Sequence, residues 1–228
     1  MKKGCSPCGP GKSCNPCAAR KGCNPCAAKK GCNPCAAKKS CNPCAAKKGC
    51  NPCNPCGAGE KEPPVLSDAE RVAAYDCVAP YLAKAYAKSC RPAARTYPEW
   101  RRFSKLSYPA EAHGIRFMNN YANETARDDY GKWEAGGTMP AGSVLAKDSF
   151  IVGENGAIAV GPLFLMSKGA AGSNAVRRDW TYTMIMPDGS VREDAGIQKF
   201  CNDCHRRAGA EDDNLMFLPL PYRVTTSN

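Results

Sequence analysis

MPAGSVLAKDSFIVG, residues 139–153, reads as a turn followed by a strand, and GAIAVGPLFLM (156–166) continues directly into another. Alternation along SVLAKDSFI puts Leu145, Lys147, Ser149 and Ile151 on one face, and Val144, Ala146, Asp148 and Phe150 on the other. Upstream, HGIRFMNNYAN (113–123) alternates well enough to be a strand, and DDYGKWEAGG (128–137) reads as a short helix closed by glycines. Downstream, DWTYTMIMPDGS (179–190) is a strand ending in a Pro-Asp-Gly turn. Further upstream the period changes to helical: Ser67 with Glu70 has capping-box spacing, and Val72, Tyr75, Val78, Leu82 and Tyr86 follow near helical intervals. Pro80 interrupts that run and predicts a kink or two short helices. Cys77 and Cys90 read as ordinary small helix residues. Helices first and sequential strands afterwards predict an α+β fold with a small antiparallel sheet.

The chain has 228 residues, with 32 Lys and Arg against 21 Asp and Glu, 17 Cys and only 2 His. No apolar run approaches the ~18 residues of a membrane span. The charge is unevenly placed. Residues 1–62 hold 13 of the Cys and 12 basic against two acidic residues, a net of +10, which leaves +1 for residues 63–228. The basic balance therefore does not make the remainder a nucleic-acid binder. From Cys5 onward a nonapeptide, Gly/Ser-Cys-Asn-Pro-Cys-Ala-Ala-Lys-Lys, recurs with no aromatic, Val, Ile or Leu. Such a segment buries too little apolar area to offset the entropy of ordering its backbone, so a disordered tail is expected. Three uses stay open for its CxxC pairs: thiolate sites for copper or zinc, redox dithiols, and a low-complexity linker without chemistry. GAGEKEPP (57–64) marks the boundary, giving a tail over 1–62 and one domain over 63–228.

Cys201-Asn202-Asp203-Cys204-His205 carries the clearest chemistry. CxxCH is the c-type haem attachment sequence: two thiols three apart can each add across one haem vinyl group, and the next imidazole then reaches the iron. Eight CxxC pairs and scarce His would produce one such match by chance roughly one time in twelve. This pair, however, lies outside the repeat and holds one of the two histidines. A zinc knuckle or redox CxxC with an incidental His is the competing reading. Attachment of this type takes place outside the bacterial inner membrane. A periplasmic location is therefore expected. Met1-Lys2-Lys3 leads straight into Cys and Gly without an apolar h-region, so the true start is expected upstream.

Residues from about 95 to 223 resemble the cytochrome P-460 and cytochrome c′-beta family of mono-haem proteins. The matching features are Arg116 with Asn119, then Tyr130 and Trp133, Pro-Ala-Gly-Ser-Val-Leu-Ala-Lys ending at Lys147, Trp180, CNDCH, Phe217 and Tyr222. The resemblance implies one covalent haem c on Cys201, Cys204 and His205, an open site on the iron, and a homodimer. In the enzymatic branch a lysine at the place of Lys147 bonds to the haem edge and hydroxylamine is oxidised. The other branch binds nitric oxide or carbon monoxide without that bond. A small nitrogenous ligand and a soluble redox partner such as a c-type cytochrome follow as expected partners.

The residues themselves leave several roles open. Lys147, between Leu145 and Ile151, suits either a haem-facing amine or a long side chain snorkelling out at an edge. A desolvated amine would have a depressed pKa and be more nucleophilic. Arg116 could set a cation beside the iron or a propionate, or be a surface arginine. His113 could be a distal base, a sixth ligand that turns the protein into an electron carrier, or an exposed turn residue. Glu193 and Asp194 could accept a substrate proton. Trp180, Tyr182, Met184 and Met186 read as core. The functional alternatives are therefore a haem oxidoreductase, a gas binder or electron carrier, and a Cys-rich metal-binding protein with a cytochrome appended.

Overall fold

The computed structural model describes residues 64–153 and 156–225. The Cys repeat, its linker, and the expected disordered tail with its copper or zinc sites lie outside the described residues. Helix α1 (Asp68–Tyr86) opens on the expected capping box: Ser67 Oγ accepts from Glu70 N, and the Glu70 carboxylate accepts from Ser67 N at 2.8 Å. The helix runs unbroken through Pro80, so of the expected kink or two short helices the second does not occur. Its buried side, Val78, Leu82, Ala85 and Tyr86, packs on the sheet and offsets the hydrogen bond that proline removes. Cys90 is not helical; it follows a short 3₁₀ turn with φ of 60°.

After α2 (Pro92–Thr96) come eight strands: β1 (Arg101–Arg102), β2 (Tyr108–Ala110), β3 (Arg116–Ala122), β4 (Val144–Val152), β5 (Ile158–Val160), β6 (Leu163–Lys168), β7 (Trp180–Ile185) and β8 (Val191–Arg192). All their pairings are antiparallel, in the order β1-β3-β4-β6-β7-β8, with β2 also on β3 and β5 on β4. The short helix α3 (Arg127–Tyr130) joins β3 to β4, and α4 (Ala195–His205) follows β8. The fold is α+β, as the order of periodicities predicts.

GAIAVGPLFLM forms two strands rather than one, because Gly161-Pro162 interrupts it and both halves pair with β4 in succession. Gly161 is needed for close approach: a Cβ there would lie 2.4 Å from Ser149 Oγ and 2.8 Å from Arg116 Nη1. The register assigns the two faces. Phe117, Tyr121, Ala146, Phe150, Leu163 and Ile185 share the face that packs on α1. Asn120, Lys147, Phe164 and Met184 stand side by side across four strands on the opposite face, beside which α4 packs on β7.

Leu82 is fully buried between α1 and the sheet. Leu82→Ala is expected to cost about 2–5 kcal/mol, read as a lowered urea midpoint at unchanged slope.

Candidate haem site

Helix α4 is built to present one side. The Asp194 carboxylate caps its first turn, accepting from Gly196 N at 2.9 Å and Ile197 N at 3.2 Å. Gln198 docks the helix on β7, accepting from Tyr182 N at 3.0 Å through Oε1 and donating to Tyr182 O through Nε2. Cys201, Cys204 and His205 stand at i, i+3 and i+4, so they project on one side of α4. That side opens into a cavity of about 810 Å³, within the ~300–1,000 Å³ range of small-molecule sites.

The wall opposite is the sheet face that carries Leu145, Lys147, Phe164, Met166, Tyr182 and Met184. Of the residues expected in the core, Tyr182 and Met186 are buried as expected but also line this cavity, and Met184 lines it half-buried. Trp180 lies in the core away from the cavity, donating from Nε1 to Asp213 O at 2.8 Å. A strand's alternation tells which side chains share a face but not what covers that face.

Lys147, His113 and Arg116 meet the motif here. Lys147 is half-buried on the cavity wall, and burial pushes its amine down to about 8, with Cys204 acting weakly the other way. His113 sits at the end of a 3₁₀ turn with its ring centroid 4.9 Å from that of Phe164, and so is not an exposed turn residue. Burial, then Lys147, His205 and Arg116, hold it well below the usual histidine range, so it is neutral at pH 7. Arg116 is buried, its Nε donating to the His113 carbonyl, and it too reaches the cavity. It is therefore not a surface arginine. Burial, then Lys147, lowers His205 to about 4, so its imidazole is neutral as well. His205 Nδ1 lies 3.1 Å from Asn214 O, which leaves Nε2 for the cavity. Burial, then Cys204, raises Cys201 to about 11.

Glu193 and Asp194 do not reach this site. Asp194 is spent on the helix cap, and Glu193 pairs with Arg91 and accepts from Thr183 Oγ1 at 3.3 Å. Asn119 is also apart, on the α1 side of the sheet, donating to Asp148 Oδ1 at 3.0 Å. Tyr130 lines the cavity and accepts from Asn120 Nδ2 at 2.8 Å, while Trp133 packs behind it against Phe103 and Phe217.

The residues present fit a c-type haem. The cavity is mainly apolar and holds two thiols at attachment spacing. It also offers a neutral imidazole with its far nitrogen already engaged, and guanidinium groups of Arg116, Arg192 and Arg207 for carboxylates. Among the described residues, no group of three or more His, Cys, Asp or Glu could hold a metal ion by itself, and no helix is long and apolar enough to cross a membrane. No curated protein matches the chain. The family model described as Cytochrome P460 matches residues 94–217, more than half of its length.

Proposed function

The chain belongs to the cytochrome P460 family, and on that premise we propose that this haem c cytochrome is exported to the periplasm and oxidises hydroxylamine or nitric oxide at an open haem face. One observation carries the reading: the cavity that receives the thiols and imidazole of CNDCH also receives Lys147, His113 and Arg116. Bound haem supplies an iron centre that exchanges electrons and takes a small ligand. Cys201 and Cys204 hold it through thioethers, and His205 offers a neutral Nε2.

Lys147 is the amine that faces the same space. With its pKa lowered to about 8, a larger fraction of it is uncharged near neutral pH than of an ordinary lysine, the form that a covalent bond to the haem edge would require. His113, neutral and packed on Phe164, accepts a hydrogen bond from the N–H or O–H of hydroxylamine. Arg116 supplies a fixed cation beside it, for a propionate or for negative charge on the ligand. Electrons leave to a soluble partner such as another c-type cytochrome. A homodimer, and copper or zinc held by the N-terminal thiols, complete the proposal.

Absorption spectra of the haem-loaded protein and of Lys147→Ala test the enzymatic part. The unaltered protein is expected to show a Soret band far to the red of an ordinary c-type spectrum and to turn over hydroxylamine. Lys147→Ala should restore the ordinary spectrum and lose that turnover while still binding nitric oxide. An ordinary spectrum before substitution would remove hydroxylamine oxidation and leave a binder of nitric oxide or carbon monoxide.

A further inference from the structure

The segment after α4 holds two consecutive residues in the left-handed region, Asp213 with φ of 51° and Asn214 with φ of 61°. L-residues enter that region at a cost, and a pair of them persists only where the surroundings over-determine it. Here they do. The Asp213 carboxylate is fully buried and accepts from Lys168 Nζ at 2.7 and 2.8 Å, Arg178 Nε at 3.2 Å and Met139 N at 2.9 Å. Its carbonyl accepts from the buried Trp180 indole at 2.8 Å. The main chain closes the turn through Asp213 N to Ala210 O and Asn214 N to Gly209 O, each 3.1 Å. The next carbonyl, that of Asn214, is the one 3.1 Å from His205 Nδ1.

A buried ion pair is a poor stabiliser in itself, because desolvation offsets most of the attraction and apolar residues of similar volume often do as well. What this one accomplishes is orientation: five hydrogen bonds fix one residue whose neighbour meets the imidazole. We propose that Asp213 is a positioning residue for His205, clamping the Asn214 carbonyl so that it fixes the Nδ1–H tautomer and aims Nε2 into the cavity. The proposal rests on the reading of His205 as the haem ligand. A hydrogen bond from Nδ1 raises the basicity of the ligating nitrogen and favours the oxidised iron.

The test compares reduction potentials of the haem-loaded protein with Asp213→Asn and Trp180→Phe, using Leu82→Ala as a variant that weakens the fold without touching the clamp. Loosening the bond is expected to favour reduced over oxidised iron about tenfold, a rise of about 59 mV for one electron. Leu82→Ala should leave the potential where it is. Unchanged potentials in Asp213→Asn and Trp180→Phe, or an equal rise in Leu82→Ala, overturn the proposal. Should Asp213→Asn fail to fold, Trp180→Phe removes one clamp bond without burying an unpaired charge and decides alone. A second measurement does not need haem: ¹⁵N spectra of the haem-free full chain should show His205 as the Nδ1–H tautomer, and Trp180→Phe as a mixture. An Nε2–H tautomer in the unaltered chain overturns the proposal. Failure to take up haem would instead overturn the reading of the cavity and leave this measurement standing.

Discussion

Replacing Cys201 and Cys204 together by serine is expected to give a polypeptide from which acidified organic solvent strips all haem, whereas the unaltered chain keeps it. The reason is local. Both thiols lie on the cavity side of α4 three residues apart, partly buried, with Cys204 Sγ 3.8 Å from Met216 Sδ at the rim. Serine is close in size but forms no thioether, so α4, its Asp194 cap and its Gln198 dock should survive the exchange. Either single variant retains one bond and should keep haem through extraction. His205→Ala should retain both bonds and instead lose the spectrum of a histidine-ligated iron. Haem extraction followed by intact mass checks the four variants and the unaltered chain. Retention by the double variant, or loss from the unaltered chain, would contradict attachment at this motif.

Asp148 gives the second large effect, on the opposite face of the sheet. It is fully buried and accepts from Tyr75 Oη at 2.8 Å, Asn119 Nδ2 at 3.0 Å and Tyr97 Oη at 3.5 Å, with Tyr86, Tyr121 and Arg102 also acting on it. Burial raises its carboxyl to about 6, against the hydrogen bonds from Asn119 and Tyr75 that pull it down. Between the unfolded pKa near 4 and the folded value, the folded chain keeps a proton that the unfolded chain releases. Asp148 therefore lowers stability as pH rises through that window, by about 3 kcal/mol once both forms are ionised. Asp148→Asn removes this term. Its stability relative to the unaltered protein should rise by about that amount between pH 4 and pH 7 in urea unfolding. Other groups cancel in the difference. A difference independent of pH would mean that the carboxyl is not held protonated by its surroundings.

Much of this was legible in the residues, and the failures are instructive. The alternation of SVLAKDSFI placed Lys147 on one face and Asp148 on the other, and the register bears that out. The spacing of CNDCH and the run of strands were readable for the same reason, since both are short-range patterns. Long-range packing was not. Pro80 stays inside one helix because the sheet holds both its halves. Gly161-Pro162 divides a strand because a neighbouring strand, nine residues long, takes the two pieces in turn. Tyr182 and Met184 line a cavity because their face of β7 is shared between the docked helix α4 and the open space beside it. Asp213 and Gln198 carried no signal at all: an acid in a loop and an amide in a helix acquire their roles only from backbone groups brought to them by the fold.

The central claim is that one haem is bonded to the chain at residues 201–205. Intact mass and absorption of the full chain, produced alongside haem-maturation machinery, address it most directly. The prediction is a coloured protein carrying one haem per chain, with the added mass on the peptide that contains Cys201 and Cys204. A colourless product at the mass of the bare polypeptide, from cells that load another c-type cytochrome normally, would contradict it.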